Sequence, residues 1–426
     1  MTAVQVEPAA TAAASMQRPG LKVPIALGVF ALISVLLLVL LAPAGTSTFS
    51  LSASGSGAVQ LPQIPLHVRT TGIVVAVIAV LMAIGSGLLV RAGRRVPLWY
   101  TVVFAVILVI GFLAWSTAGH TLPVTGLLES ALALSAPLIF GALGGVVSER
   151  VGVVNIAIEG QLLAGACVSA VVASITQNLV VGLIGALVAG VLVSFVLAAF
   201  SIKYVVNQVI VGVVLNVLVL GLTTFFYETV LVNASDTLNS PPRFGNLPIP
   251  GLSLIPVVGP VLFDQSVITY LMYIAVIAVF VGLYRTRWGL RVRAVGEHPQ
   301  AADTVGIDVG RTRFWNVALA GAIVGIGGAY FTLGSVGAFS QNMTSGAGYI
   351  ALAAVIFGGW DPLRASLAGL LFGFASSLQN TLGILGSPVP SDVLLTLPYV
   401  VTIFAVAGLV GRVRGPAAAG RPYIKG

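Results

Sequence analysis

Residues 144–166 read GGVVSERVGVVNIAIEGQLLAGA, and five of them carry charged or amide side chains among apolar neighbours: Glu149, Arg150, Asn155, Glu159 and Gln161. An ionisable group at mid-membrane costs at least about 2.5–3.5 kcal/mol, so it faces a protein interior, a cavity or an interface. Asn155 and Glu159 are four apart and share one face of a helix. Glu149 and Arg150 sit between Gly145 and Gly152, where glycine weakens a continuous helix. The pattern suits a helix that breaks near one membrane surface and restarts, turning a polar face inward towards a path. The plainer readings are an interfacial Glu149–Arg150 pair and a Glu159 carboxyl hydrogen-bonded to a neighbouring helix. On a later segment Asn216 is the better path candidate, whereas Asn207 and Gln208 suit a helix start.

Other chemistries lack their residues. The three lysines, Lys22, Lys203 and Lys425, follow no glycine-rich phosphate loop, so no nucleotide hydrolysis of that kind is expected on this chain. His67, His120 and His298 are too scattered for a metal site, and the single Cys167 forms no intrachain disulfide. No nucleophile–base constellation stands out. Although the net charge is +8, the basic residues sit at the ends of apolar runs without aromatic interleaving, which argues against a nucleic-acid partner.

The elements that position the polar block are membrane spans. Of 426 residues 58% are hydrophobic and 8% charged, against roughly 25% charged in an ordinary soluble domain. Apolar runs long enough to cross a bilayer recur at 24–41, 72–90, 98–115, 127–147, 153–175, 179–200, 207–232, 267–284 and 314–333. A shorter pair, 349–357 and 363–378, is split by GGWDP, and a last run covers 393–410. The runs are continuous rather than alternating, so the fold class is an all-α polytopic transmembrane bundle with discontinuous or re-entrant helices, not a β-barrel. About ten spans result if the GGWDP pair is re-entrant and about twelve if it crosses. Residues 23–41 with the following APAG have the look of a signal peptide. The apolar part exceeds the usual h-region of about 7–15 residues and reads as a retained first span.

Arginines concentrate at 91–95, 285–313 and the 412–426 tail, which the positive-inside rule places in the cytoplasm with both termini. The long 233–265 connection holds only Arg243 and faces outward. The organisation read from this is a disordered cytoplasmic start (1–22), extra amino-terminal spans (23–119), a core (120–411) with a cytoplasmic loop at 285–313, and a basic tail (412–426). TQNLVVGLIGALVAGVLVSF and WDPLRASLAGLLFGFASSLQ share a polar turn and a small/large pattern, either an internal repeat or chance.

The 284–315 loop is far more polar than its flanks and contains a short helix, PQAADTVG, that Gly306 ends. Ala301 and Ala302 make this helix slim enough to enter a groove on another protein. RAVGEHPQAADTVGIDV resembles the coupling segment of bacterial ABC-importer permeases in the family for branched-chain amino acids, simple sugars and nucleosides. Three further blocks resemble that family in order: the opening S-E-R-x-G-V-x-N-I-x-x-E-G stretch, VVNQVIVGVVLNVLVLGLTTFFY, and GAGYIALAAVIFGGWDPLRASLAGLLFGFASSLQ. Together they cover roughly 127–410, and the first is most similar to one permease of nucleoside importers.

The resemblance implies a permease subunit of an ATP-driven importer, not an enzyme, in the bacterial plasma membrane. Gly296, Glu297, Pro299, Ala301, Ala302, Gly306 and Ile307 would dock on a separate ATPase subunit, which would hold the ATP and Mg; this chain needs no cofactor or metal. Glu149, Arg150, Asn155, Glu159, Gln161 and Asn216 would shape the translocation pathway. An extracytoplasmic substrate-binding protein, often a lipoprotein, would deliver a nucleoside or simple sugar, and a second permease, identical or different, would complete the path. Phe225, Phe226 or Tyr227 would be candidates for stacking on a base. The other readings are a branched-chain amino acid or sugar permease and an ion- or proton-coupled secondary transporter with Glu159 as proton carrier.

Overall fold

The computed structural model describes residues 21–52, 61–387, 389–390, 393, 396 and 415–424. The expected disordered start and the expected last span at 393–410 lie almost wholly outside them. Among the described residues ten helices are long and apolar enough to cross a membrane, the outcome expected of a polytopic bundle. They belong to two compact units, one built mainly from Pro62–Leu122 and the segment before Ser50, the other mainly from Pro123–Ile384.

The first unit holds α1 (Lys22–Val35), α2 (Val68–Arg91) and α3 (Leu98–Ser116). An antiparallel pair, Thr46–Ser50 with Ile64–His67, joins the first two. Gly72 of α2 lies directly against the Leu38 carbonyl, and Gly111 of α3 against Leu38 and Val75, so small residues set the helix spacing.

The second unit begins with α4 (Val124–Arg150), α5 (Ile158–Thr176), α6 (Leu179–Ala198) and α7 (Gln208–Phe226). The 233–265 connection then carries the short α8 (Ser235–Leu238) and α9 (Val258–Phe263), with Asn246–Pro248 paired to Asp264–Ser266. Next come α10 (Val267–Arg285), α11 (Arg287–Glu297), α12 (Pro299–Thr304), α13 (Val309–Ala329, wound on through Val336), α14 (Ala347–Phe357) and α15 (Pro362–Ile384). Side-chain caps punctuate these apolar helices by satisfying first-turn N–H groups. Asn178 accepts from Val180 and Val181, Asn207 from Val209 and Ile210, Thr286 from Gly289, Asp308 from Arg311, and Asp361 from Leu363 and Arg364.

One pattern occurs twice. In α4–α5–α6 and again in α13–α14–α15, a long helix is followed by irregular backbone, a returning helix, a turn with an Asn or Asp cap, and a last helix. α6 packs on α13 and α15 on α4, while α5 meets α14. The arginine-rich end of the unit, called the basic end below, carries the end of α4 but the beginning of α13, so the copies are inverted. The two similar sequences noted above start α6 and α15, the same position in each copy.

Close approach holds the copies together. Gly190 of α6 lies against the Gly321 carbonyl and Gly325 of α13, and Gly373 of α15 against Ala131 and Ser135 of α4. Gly321, Gly325 and Gly328 of α13 all lie against backbone of neighbouring helices, a packing role.

Candidate functional site

α4 stops at Arg150, Gly152 adopts φ +93°, and the chain turns back through irregular backbone until α5 begins at Ile158. Such backbone among apolar helices needs partners for every N–H and C=O. Side chains from elsewhere supply several. Gln208 Oε1 accepts from the Val154 N–H (2.7 Å), and Ser148 Oγ donates to the Val153 carbonyl (2.8 Å). Asn216 donates to the Ile156 carbonyl and accepts from the Gly160 N–H, both at 2.8 Å. Asn155 and Gln161 bond to each other (3.1 Å), and Gln161 donates to Ser194 Oγ (2.9 Å). Asn155, Gln161 and Asn216 are therefore buried staples of a helix break.

Glu159 bonds across the break to α14. Its Oε1 accepts from Thr344 Oγ1 (2.6 Å) and the Gly346 N–H (2.9 Å), and its Oε2 from the Gly348 N–H (2.6 Å). The carboxylate thus caps the N-terminus of α14, where a negative charge opposes the helix dipole. α14 has 11 residues and is about 16 Å long, half of a hydrocarbon core of about 30 Å. Its Ala351 and Val355 face Gly141 and Gly145 of α4, and its far end adjoins the basic end, so its first turn lies at mid-depth. The 337–346 loop leaves α13 near Glu228 and Asn239 and ends beside Glu159, making with α14 one broken crossing. The short 349–357 run resolves in that way, as neither a plain span nor a hairpin.

At the basic end Glu149 and Arg150 do not form the expected pair; Trp360 of the GGWDP turn holds each. Its indole Nε1–H donates to Glu149 Oε2 (2.5 Å), and its carbonyl accepts from Arg150 Nε (2.8 Å). The Tyr284 hydroxyl donates to Asp361 Oδ2 (3.0 Å), and the Arg293 guanidinium lies 5.3 Å over the Tyr284 ring. α4, α10, α11 and the α14–α15 turn meet there.

The predicted coupling segment forms two helices, α11 and α12, packed against their own chain on one side. Gly296 abuts the Arg150 carbonyl, and Ala302 is only 3% exposed within the core. The expectation that Ala302 enters a partner is corrected: its methyl already fills a site in this chain. Glu297, Ala301 and Gly306 are exposed, with Gln300, Thr304 and Val305, while Pro299 and Ile307 are half-buried. Residues 415–424 pass over the inner side of this segment. The Ala418 N–H donates to the Gly296 carbonyl (2.9 Å) and the Ala417 N–H to Glu297 Oε2 (3.2 Å). Gly415 lies against the Trp360 ring, and the Arg421 carbonyl accepts from buried Arg313 (3.0 Å).

Sequence reasoning missed Thr344, Tyr349, Trp360, Tyr284 and the contacts of the basic tail. Only Trp360 had a signal, an aromatic residue between Gly359 and Asp361. Phe225 to Tyr227 stand nine to eleven residues beyond Asn216, about 14–16 Å up α7 and away from the break.

Comparison with known proteins identifies the family. Residues 127–406 fit the family model for the permease component of branched-chain amino acid transport systems. The guanosine ABC transporter permease protein NupQ of Bacillus subtilis is 41% identical, over 70% of this chain and 97% of that protein. The nucleoside ABC transporter permease protein NupC of Lactococcus lactis is 38% identical over 69% and 95%. A putative glucose ABC transporter permease protein of Haloferax volcanii, TsgC13, is 36% identical over 60% and 77%. No solved structure matches the chain. With its inverted pair of broken helices and a family match over most of its length, this chain belongs to the branched-chain amino acid transport system permease family, as a membrane transport subunit of the ABC type.

Proposed function

We propose that the chain is the permease subunit of an ATP-driven nucleoside importer, with the helix break around Glu159 and Asn216 forming the wall of the translocation pathway. The observation that carries this reading is the 41% identity over 97% of a guanosine permease. The basic end is cytoplasmic, both termini lie on that side of the plasma membrane, and the exposed face of α12 docks a separate ATPase that binds ATP and Mg. A second permease completes the path, and an extracytoplasmic binding protein delivers the cargo. Proton-coupled transport fits poorly, because the bonds from Thr344, Gly346 and Gly348 all hold the Glu159 carboxylate as an acceptor.

The experiment is uptake of labelled guanosine into vesicles carrying this chain with its ATPase, partner permease and binding protein. ATP-dependent uptake, competed by other nucleosides and not by glucose or leucine, is the expected result. Uptake by this chain alone down an ion gradient would defeat the reading. Competition by glucose would select the sugar-permease alternative, which the likeness to the Haloferax protein favours.

A further inference from the structure

We propose that Tyr349 is a cargo-contacting, specificity-determining residue: its ring is the aromatic platform against which a nucleobase passes the mid-membrane break. This deepens the nucleoside reading and rests on it. Tyr349 sits in the first turn of α14, half a bilayer from the basic end by the length argument above. The other members of the central cluster are closed off, with Asn155 and Gln161 at 0% exposure, Asn216 at 5% and Glu159 at 8%. Tyr349 is 50% exposed. Its hydroxyl accepts from Asn216 Nδ2 (3.2 Å), the same amide group that bonds the Ile156 carbonyl. The polar tip is thereby tied to the break while a ring face stays free.

Which way the free face looks follows from its surroundings. Ser345, one turn earlier, is also exposed. Polar side chains and irregular backbone at membrane depth are tolerated where they line a water-filled cavity, not against lipid tails. Tyrosine facing lipid gathers at the membrane interfaces rather than at the centre. A ring fixed at mid-depth beside an exposed serine and a helix N-terminus is therefore a path-side group. Its apolar face suits a planar base, which a branched-chain amino acid or a free sugar lacks.

The test uses the assembled transporter in proteoliposomes, in a Cys167→Ala background carrying Tyr349→Cys. A water-soluble methanethiosulfonate reagent should modify residue 349 during turnover, and guanosine with its binding protein should slow that modification at least 5-fold. Modification by a lipid-soluble maleimide alone, no modification by either reagent, or no protection would overturn the proposal. In parallel, Tyr349→Phe, which keeps the ring but loses the Asn216 bond, should lower guanosine uptake less than Tyr349→Leu. Tyr349→Leu should lower guanosine uptake efficiency about 5-fold or more, the weak end of base–aromatic stacking, and leave any ribose uptake unchanged. An equal fall for guanosine and ribose would mean a structural role only and sink the proposal. Wild-type uptake reports separately on the nucleoside reading, and accessibility of residue 349 does not depend on it.

Discussion

Glu159→Gln replaces a carboxylate by an amide of nearly the same shape. In the native arrangement Oε1 takes two donors, Thr344 and Gly346, and Oε2 takes the Gly348 N–H. The least costly amide orientation keeps its oxygen on Thr344 and Gly346 and points its own N–H at Gly348, donor against donor. One charge-assisted bond is lost, about 1.5–3 kcal/mol. The charge–dipole interaction at the α14 N-terminus goes as well, about 0.3–2 kcal/mol. The sum, about 2–5 kcal/mol, is a large part of a typical stability of about 5–15 kcal/mol. The assay is thermal unfolding of the purified subunit in detergent, where the variant should melt at least about 5 °C below wild type. Glu159→Ala, which strands three donors, should fall further. A glutamine variant as heat-resistant as wild type would refute the view that this carboxylate ties the half-helix to the break. Loss of pH-driven uptake with unchanged stability would instead revive Glu159 as a proton carrier.

Trp360→Phe removes the indole donor to Glu149, which is 4% exposed, and should cost about 1–3 kcal/mol in the same melting assay. The Arg150 contact survives because it goes to the backbone carbonyl of residue 360. Gly190→Ala should destabilise by about 1–3 kcal/mol or more, since its added methyl meets backbone of α13. Gly221→Ala, with nothing within 4 Å of the new methyl, should be neutral or stabilise by up to about 1 kcal/mol. Ala302→Arg should lower stability by pushing a charge into packed chain. Ala301→Arg should leave melting unchanged and weaken retention of the ATPase in a pull-down from co-expressing membranes.

The spans were legible because bilayer thickness imposes a length and a composition on each helix, whatever it touches. The start of α5 was not. The apolar run suggested 153, yet the helix begins at Ile158 because Gln208 and Asn216, more than fifty residues later, satisfy the intervening backbone. Glu159 stood out as a carboxyl in an apolar run, but its partners Thr344 to Gly348 lie nearly two hundred residues away, beyond any local pattern. Ala302 was misjudged for a related reason. A helix of six residues is too short for a periodicity that would tell its packed face from its free one. The similar stretches at the starts of α6 and α15 did carry the internal symmetry, through an Asn or Asp cap and a glycine-spaced face, though sequence alone could not separate it from coincidence.

The strap formed by residues 415–424 bears on how the subunit matures. It bonds Gly296 and Glu297, lies on Trp360 and receives Arg313, all synthesised before it. Until those ten residues emerge from the ribosome, α11 lacks part of its support and the Arg313 guanidinium has no Arg421 carbonyl to meet. The end of α11 is thus completed only after the helices before it have been made, so a chain truncated before residue 415 should leave Gly296, Glu297 and Arg313 without these contacts.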